Sequence, residues 1–193
     1  INAYTSREQT AFHARVLKEN VPLALEIIED ILVNSSFDET ELERERDVII
    51  QEIGQTQDTP DDLIFDYLQT ACFPDQPMGW PIFGSEQTVA GFSRGNLVDF
   101  MHKHYRAGAM TLIGSGAVEH ARLVEAGMAL SAALEQGPER DFQPARFDGG
   151  DIRGHSDLEQ AHLAFAFPGI PSADADAITA QVFVTALGGG MSS

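Results

Sequence analysis

The chain has 193 residues, 30 acidic against 12 basic, and a formal net charge of −18. This balance excludes nucleic-acid binding through clustered Lys and Arg, and it favours basic peptides as partners. The single cysteine, Cys72, excludes a disulfide framework and a multi-cysteine metal site, and we expect it in the core. No apolar run approaches the roughly 18 residues of a membrane span.

The N-terminal part of the chain predicts a hairpin followed by helices. Residues 2–18 mix alternating and apolar positions and predict two strands with a short turn near residues 7–8. Pro22 then fits the first turn of a helix that ends near residues 34–36. Asp38 is a good N-cap, with Glu41 three residues on as in a capping box, for a second helix. Further helices are predicted from residues 59–62 and over 93–105, 121–134 and 173–187.

The remaining pattern predicts the fold class and its division into domains. Residues 110–116 predict a short strand followed by a turn, and residues 161–167 predict a second strand. Strands and helices alternate without a regular βαβ rhythm, so we expect an α+β fold with a mixed or antiparallel sheet covered by helices. The sequence therefore predicts one α+β domain at residues 1–136, a Gly- and Pro-containing linker at 137–152, and the start of a second domain at 153–193.

The most informative segment is the helix predicted after Asp38. At 100° per residue, Glu45 and Glu52 are nearly stacked on one broad face that also carries Leu42, Val48, Ile49 and Ile53. A carboxylate on an apolar face is costly unless it is paired or bound to a metal. Geometry leaves three explanations open: a bound cation, a wide face with a solvated edge, or partnership with Arg44 and Arg46.

Several segments resemble one enzyme family. Residues 45–52 (Glu-Arg-Asp-Val-Ile-Ile-Gln-Glu) closely resemble the distal-glutamate helix of processing peptidases in the pitrilysin/insulinase family. Residues 2–10 (Asn-Ala-Tyr-Thr-Ser-Arg-Glu-Gln-Thr) look like that family's Asn-Ala-x-Thr strand. Further similar segments follow in the expected order, so the resemblance spans the whole chain; they are residues 58–60, 79–84, 114–118 and 188–193.

The resemblance implies a zinc site and a peptide-binding strand. Family members are inverzincins, in which the two histidines of His-x-x-Glu-His bind zinc and the glutamate between them is the base. By motif match, Glu52 is the third, distal zinc ligand, and Glu45 is an acid that orients the site. Asn2 and Ala3 match positions on an edge strand that pairs with the backbone of an extended peptide. The implied fold is a repeated processing-peptidase-like domain whose first copy is incomplete here.

The His-x-x-Glu-His motif is not among these 193 residues. We expect it about 25 residues before Ile1. His102 and His104 are two apart and point to different sides of a helix, and the other four histidines are scattered singly. An Arg and a Tyr that bind substrate in the family are expected after Ser193. We therefore expect an internal fragment that is inactive alone and binds zinc weakly at best.

Three functions remain open at the level of the sequence. The first is a zinc metalloendopeptidase that hydrolyses extended, basic peptides or proteins with a zinc-bound water. The second is a non-catalytic subunit of the same family that acts as a partner or structural core protein. The third is an acidic peptide-binding module without chemistry. A homodimer or a heterodimer with a family member is compatible with the first two. The compartment is open: cytoplasm or periplasm in a bacterium, mitochondrial matrix in a eukaryote.

Overall fold

A computed structural model describes residues 1–137 and 143–189. It is mostly helical, at 53%, with a small antiparallel sheet, so the predicted α+β class is confirmed. The helices are α1 (Val21–Val33), α2 (Glu39–Gln57), α3 (Pro60–Cys72), α4 (Glu86–Gly91), α5 (Arg94–His104), α6 (His120–Ala133) and α7 (Ala177–Gly188). No helix in the described part of the chain is both long and apolar enough to cross a membrane.

The predicted hairpin is present at the start of the chain. Strand β1 (Asn2–Thr5) pairs antiparallel with β2 (Thr10–His13). The turn between them is closed by the Ser6 N–H, which donates to the Gln9 carbonyl oxygen at 2.8 Å. The turn predicted near residues 7–8 is therefore confirmed. Every residue of β1 is exposed to solvent.

The helices begin where their local sequence provides caps. The Asp38 carboxylate accepts hydrogen bonds from the backbone N–H groups of Thr40 and Glu41 at 2.9 and 3.3 Å, which fixes the start of α2. Of the predicted capping box, only this half is formed, because the Glu41 carboxylate pairs with Arg44. The core of the described part is small: its buried apolar side chains are Ala24, Leu32, Ile53, Cys72 and Val89. The expectation that Cys72 lies in the core is confirmed.

The predicted larger sheet under a cover of helices is wrong for the described part of the chain. There the sheet has two strands, and residues 110–116 and 161–167 form no strand. Met110 has an extended backbone, with φ −118° and ψ 146°. An extended segment becomes a strand only by hydrogen bonding to a neighbour. In the described part of the chain, neither segment pairs with a strand, so neither becomes part of a sheet.

The chain after residue 142 packs along α3 in the opposite direction. The Asp148 N–H donates to the Cys72 carbonyl oxygen at 3.0 Å, near the end of that helix. A Cβ at Gly154 would meet the Tyr67 ring at 2.9 Å, so the two lie in close contact. Of the predicted linker, residues 143–152 have no helix or strand and residues 138–142 fall outside the described residues. Residues 190–193 of the family-like segment at 188–193 are also outside them.

Candidate functional site

Glu45 and Glu52 lie on the solvent edge of α2. Both side chains are exposed, and Val48 between them is 46% exposed. The next residue, Ile53, lies about 100° further around the helix and is only 5% exposed. Helix α2 contacts α3 and α4. Both carboxylates therefore lie on the part of the broad apolar face that is open to solvent, because the face is wide and only one side of it is buried. This exposure agrees with the solvated-edge explanation and leaves the bound-cation explanation open.

The two neighbouring arginines have other partners. Arg44 pairs with Glu41, and the Arg46 Nη2 donates to the Phe92 carbonyl oxygen at 2.8 Å. Within the part of the chain that the structure describes, the carboxylates of Glu45 and Glu52 have no hydrogen bond or ion pair. The explanation that arginines balance these acids is therefore not observed. Both carboxylates remain free to accept a ligand from solvent.

A zinc ion in a catalytic site needs three protein ligands. Among the described residues, no group of three or more His, Cys, Asp or Glu side chains could hold a metal. Two of the histidines each lie beside a single carboxylate. His102 Nδ1 is 3.0 Å from Glu135 Oε1, and His162 Nδ1 is 2.9 Å from an oxygen of Asp61. An exposed, unpartnered carboxylate on a rigid helix fits a single zinc ligand. This chain therefore offers Glu52 as one ligand of a set that must be completed by other residues.

The free edge of β1 is the second candidate feature. Because Ser6 and Gln9 are hydrogen-bonded, the alternation of antiparallel pairs makes Tyr4–Ala11 and Asn2–His13 the bonded pairs. The backbone groups of Ala3 and Thr5 then point away from β2. The Asn2 side-chain oxygen accepts a hydrogen bond from the outward Ala3 N–H at 2.8 Å. Asn2 and Ala3, predicted from the motif, thus lie together at an exposed strand edge in the described part of the chain.

One contact at this hairpin was not predicted from the sequence. Arg7 Nη2 lies 3.0 Å from Asp66 Oδ1 and joins the hairpin turn to α3. The two residues are 59 positions apart, so neither periodicity nor spacing could have indicated that they meet. This ion pair does not involve α2, but it attaches the hairpin that carries Asn2 and Ala3 to α3.

The perturbed carboxyl groups lie away from α2. A hydrogen bond from the Arg146 side chain lowers the pKa of Asp148, and one from Arg153 lowers the pKa of Asp151. Both pairs are local, with partners two residues apart, and belong to the segment that packs along α3. They therefore indicate local ion pairing in that segment rather than a reactive site.

Comparison with known families decides the identity of the chain. The sequence profile described as "Insulinase (Peptidase family M16)" matches residues 1–86, and the one described as "Peptidase M16 inactive domain" matches residues 91–193. The chain belongs to the M16 peptidase family. The resemblance to pitrilysin/insulinase-type enzymes is thereby confirmed. The two M16 profiles meet between residues 86 and 91, and the division at 137–152 stays a prediction.

Individual relatives include proteins named as peptidases and a subunit of the cytochrome b-c1 complex. The chain is 41% identical to a zinc protease of Rickettsia felis over 193 residues, which are 100% of this chain and 47% of the relative. It is 38% identical over 194 residues to a probable mitochondrial-processing peptidase subunit beta of Arabidopsis thaliana, covering 97% and 36%. It is 34% identical over 187 residues to cytochrome b-c1 complex subunit 1, mitochondrial, of Mus musculus, covering 94% and 39%. The chain thus spans less than half the length of these M16 relatives.

Proposed function

We propose that the intact protein is a zinc-dependent endopeptidase in which Glu52 is one of the metal ligands. The observation that carries this proposal is the Glu52 carboxylate, exposed and without a protein partner on α2. Glu45 lies two turns earlier on the same side of the helix, about 10 Å along its axis. The assignment is supported by the M16 insulinase profile, whose match at residues 1–86 includes Glu52.

The residues of this chain would act as follows. Bound zinc supplies a Lewis acid and lowers the pKa of a coordinated water. Glu52 would hold the metal from α2, whose start is fixed by the Asp38 cap and whose buried side carries Ile53, the residue next to Glu52. Glu45 would orient the site by accepting a hydrogen bond from a neighbouring ligand, as outer carboxylates do at metal centres. The two histidine ligands would come from the His-x-x-Glu-His segment expected before Ile1.

The substrate in this proposal is an extended peptide that adds a strand to β1. An exposed strand edge binds a peptide through backbone hydrogen bonds, with little regard for its sequence. The outward groups of Ala3 and Thr5 provide donors and acceptors for such pairing. Because the Ala3 N–H is already bonded to Asn2, an arriving peptide carbonyl would replace the Asn2 side chain there. The net charge of −18 favours basic peptides.

The experiment is a matched set of substitutions on one helix of the intact protein. We expect Glu52→Gln to lower zinc content, measured by mass spectrometry of the dialysed protein, to near background and to abolish peptide cleavage. Glu45→Gln should cost about 10- to 100-fold in metal affinity or activity. Glu43→Gln is the control, because Glu43 is equally exposed but nine residues, half a revolution, from Glu52. Unchanged zinc content in Glu52→Gln would refute the ligand assignment.

A non-catalytic subunit is the second candidate. The observation that favours it is the 34% identity to cytochrome b-c1 complex subunit 1. It predicts an intact protein without stoichiometric zinc that co-purifies with a second family member. A zinc-free peptide-binding module predicts instead that basic peptides bind in a salt-dependent way that Glu52→Gln leaves unchanged.

We infer a bacterial or mitochondrial setting from the relatives, and fractionation of the source cells tests it.

A further inference from the structure

The β1–β2 hairpin needs support from the rest of the fold. A two-stranded hairpin is at best marginally stable alone in water. Here β1 is fully exposed, so it gains little from burial. Two side-chain contacts attach the hairpin to helical parts of the chain. The Arg7–Asp66 pair joins the turn to α3, and Phe12 of β2 meets Tyr105 edge-on, with ring centroids 6.2 Å apart.

The Arg7–Asp66 pair is better shielded than the other Arg–carboxylate pairs of the described residues. The Arg7 and Asp66 side chains are 23% and 32% exposed, against 73% for both members of the Arg122–Glu125 pair. Shielded charges are less screened by salt than exposed ones. The Arg7 Nε is buried and has no partner, so the guanidinium holds α3 through Nη2 alone. The Arg7 side chain therefore attaches the turn of the hairpin to α3 through this one hydrogen bond.

We propose that Arg7 and Asp66 are positioning residues that hold the β1 edge in place for peptide pairing. The proposal rests on the peptide-binding role proposed for Ala3 and Thr5. Without the pair, the hairpin loses its ionic contact with α3 and retains the Phe12–Tyr105 contact, so the outward backbone groups are held less firmly as an edge. Peptide affinity then falls, while the chemistry at a site built on α2 is unchanged once a peptide is bound.

The experiment is a double-substitution cycle in the intact protein, with Arg7→Gln, Asp66→Asn and the two combined. We expect each single change to raise both KM and the Kd of a fluorescent, unstructured basic peptide by about two- to fivefold, with kcat unchanged. The combined change should be no worse than either single one, because both remove the same contact. Arg122→Gln is the control, since it removes an arginine from an exposed pair on α6.

A change in net charge would not raise the Kd of the basic peptide in both single variants. Arg7→Gln makes the chain more acidic and Asp66→Asn makes it less acidic, so an effect of charge on a basic peptide would have opposite signs in the two variants. Loss of the contact acts in the same direction in both. Opposite shifts in Kd would therefore overturn the proposal. Circular dichroism of each variant confirms that the helices remain folded.

Hydrogen exchange gives a readout that does not depend on peptide. We expect amides of the hairpin, residues 2–13, to exchange about two- to fivefold faster in either single variant, with α6 unchanged. Unchanged exchange in the hairpin would overturn the proposal. If the wild type binds the peptide without cleaving it, the proposed zinc-peptidase function is refuted. The Kd values of the variants then still test the positioning role of Arg7 and Asp66. If the wild type binds no such peptide, the positioning role falls with the binding role.

Discussion

The contrast between Ile53 and Val48 tests where α2 meets the core. Both residues lie on the broad face that the sequence assigned to packing, but Ile53 is 5% exposed and Val48 is 46% exposed. We expect Ile53→Ala to destabilise the 193-residue chain strongly and Val48→Ala to leave its stability nearly unchanged. The comparison is matched, because both substitutions shorten a β-branched side chain to alanine in the same helix.

The magnitudes follow from the exposed fractions. Ile53→Ala removes three buried carbon atoms, which at about 0.8 kcal/mol each predicts a loss of about 2–3 kcal/mol in the free energy of unfolding. Val48→Ala removes two carbons that are about half solvated, a loss of about 0.8 kcal/mol. The higher helix propensity of alanine offsets about 0.5 kcal/mol of this, so the net change should be about 0.3 kcal/mol.

Urea unfolding followed by circular dichroism measures both changes, because more than half of the described residues are helical. In thermal unfolding, Ile53→Ala should lower the midpoint by about 5–10 °C. Equal losses in the two variants would refute the reasoning. They would mean that the side of α2 carrying Val48, Glu45 and Glu52 is packed rather than open, and would restore a buried setting for the two carboxylates.

Two glycines and one carboxylate give further predictions. Gly79→Ala should destabilise the chain by about 1–3 kcal/mol in urea unfolding, because its Cβ would lie 2.1 Å from the Phe73 carbonyl oxygen. Gly54→Ala should instead stabilise it by about 0.5–1 kcal/mol, since an added Cβ would meet nothing within 4 Å beyond the neighbouring residues and backbone of its own helix, and alanine lowers the entropy of the unfolded chain. A loss of stability would contradict that open surrounding. Arg146→Gln should raise the pKa of Asp148 toward its ordinary value in an NMR titration. Because the folded-state pKa is lowered, this pair stabilises the fold above the ordinary pKa of Asp and the contribution is lost as pH falls through the folded-state pKa.

Local features of the fold followed from the sequence. The hairpin, the Asp38 cap and the starts of α1 and α3 at prolines depend on neighbouring residues, whose chemistry is visible in the chain. The strands predicted at residues 110–116 and 161–167 were wrong because strand formation depends on a partner elsewhere in the fold. Alternation of apolar residues records a preference for extended backbone and carries no information about that partner.

For the candidate site, the sequence by itself determined which residues belong together along the chain. Heptad spacing stacks Glu45 on Glu52, and the motif identifies Asn2 and Ala3. Only the tertiary structure decided how these residues meet solvent and protein. Packing of α3 and α4 covers one side of α2 and leaves the acids exposed, while α3 brings Asp66 to the hairpin turn. The reason is physical: periodicity fixes an angle around a helix axis, but burial and pairing depend on which distant segment fills the space beside it.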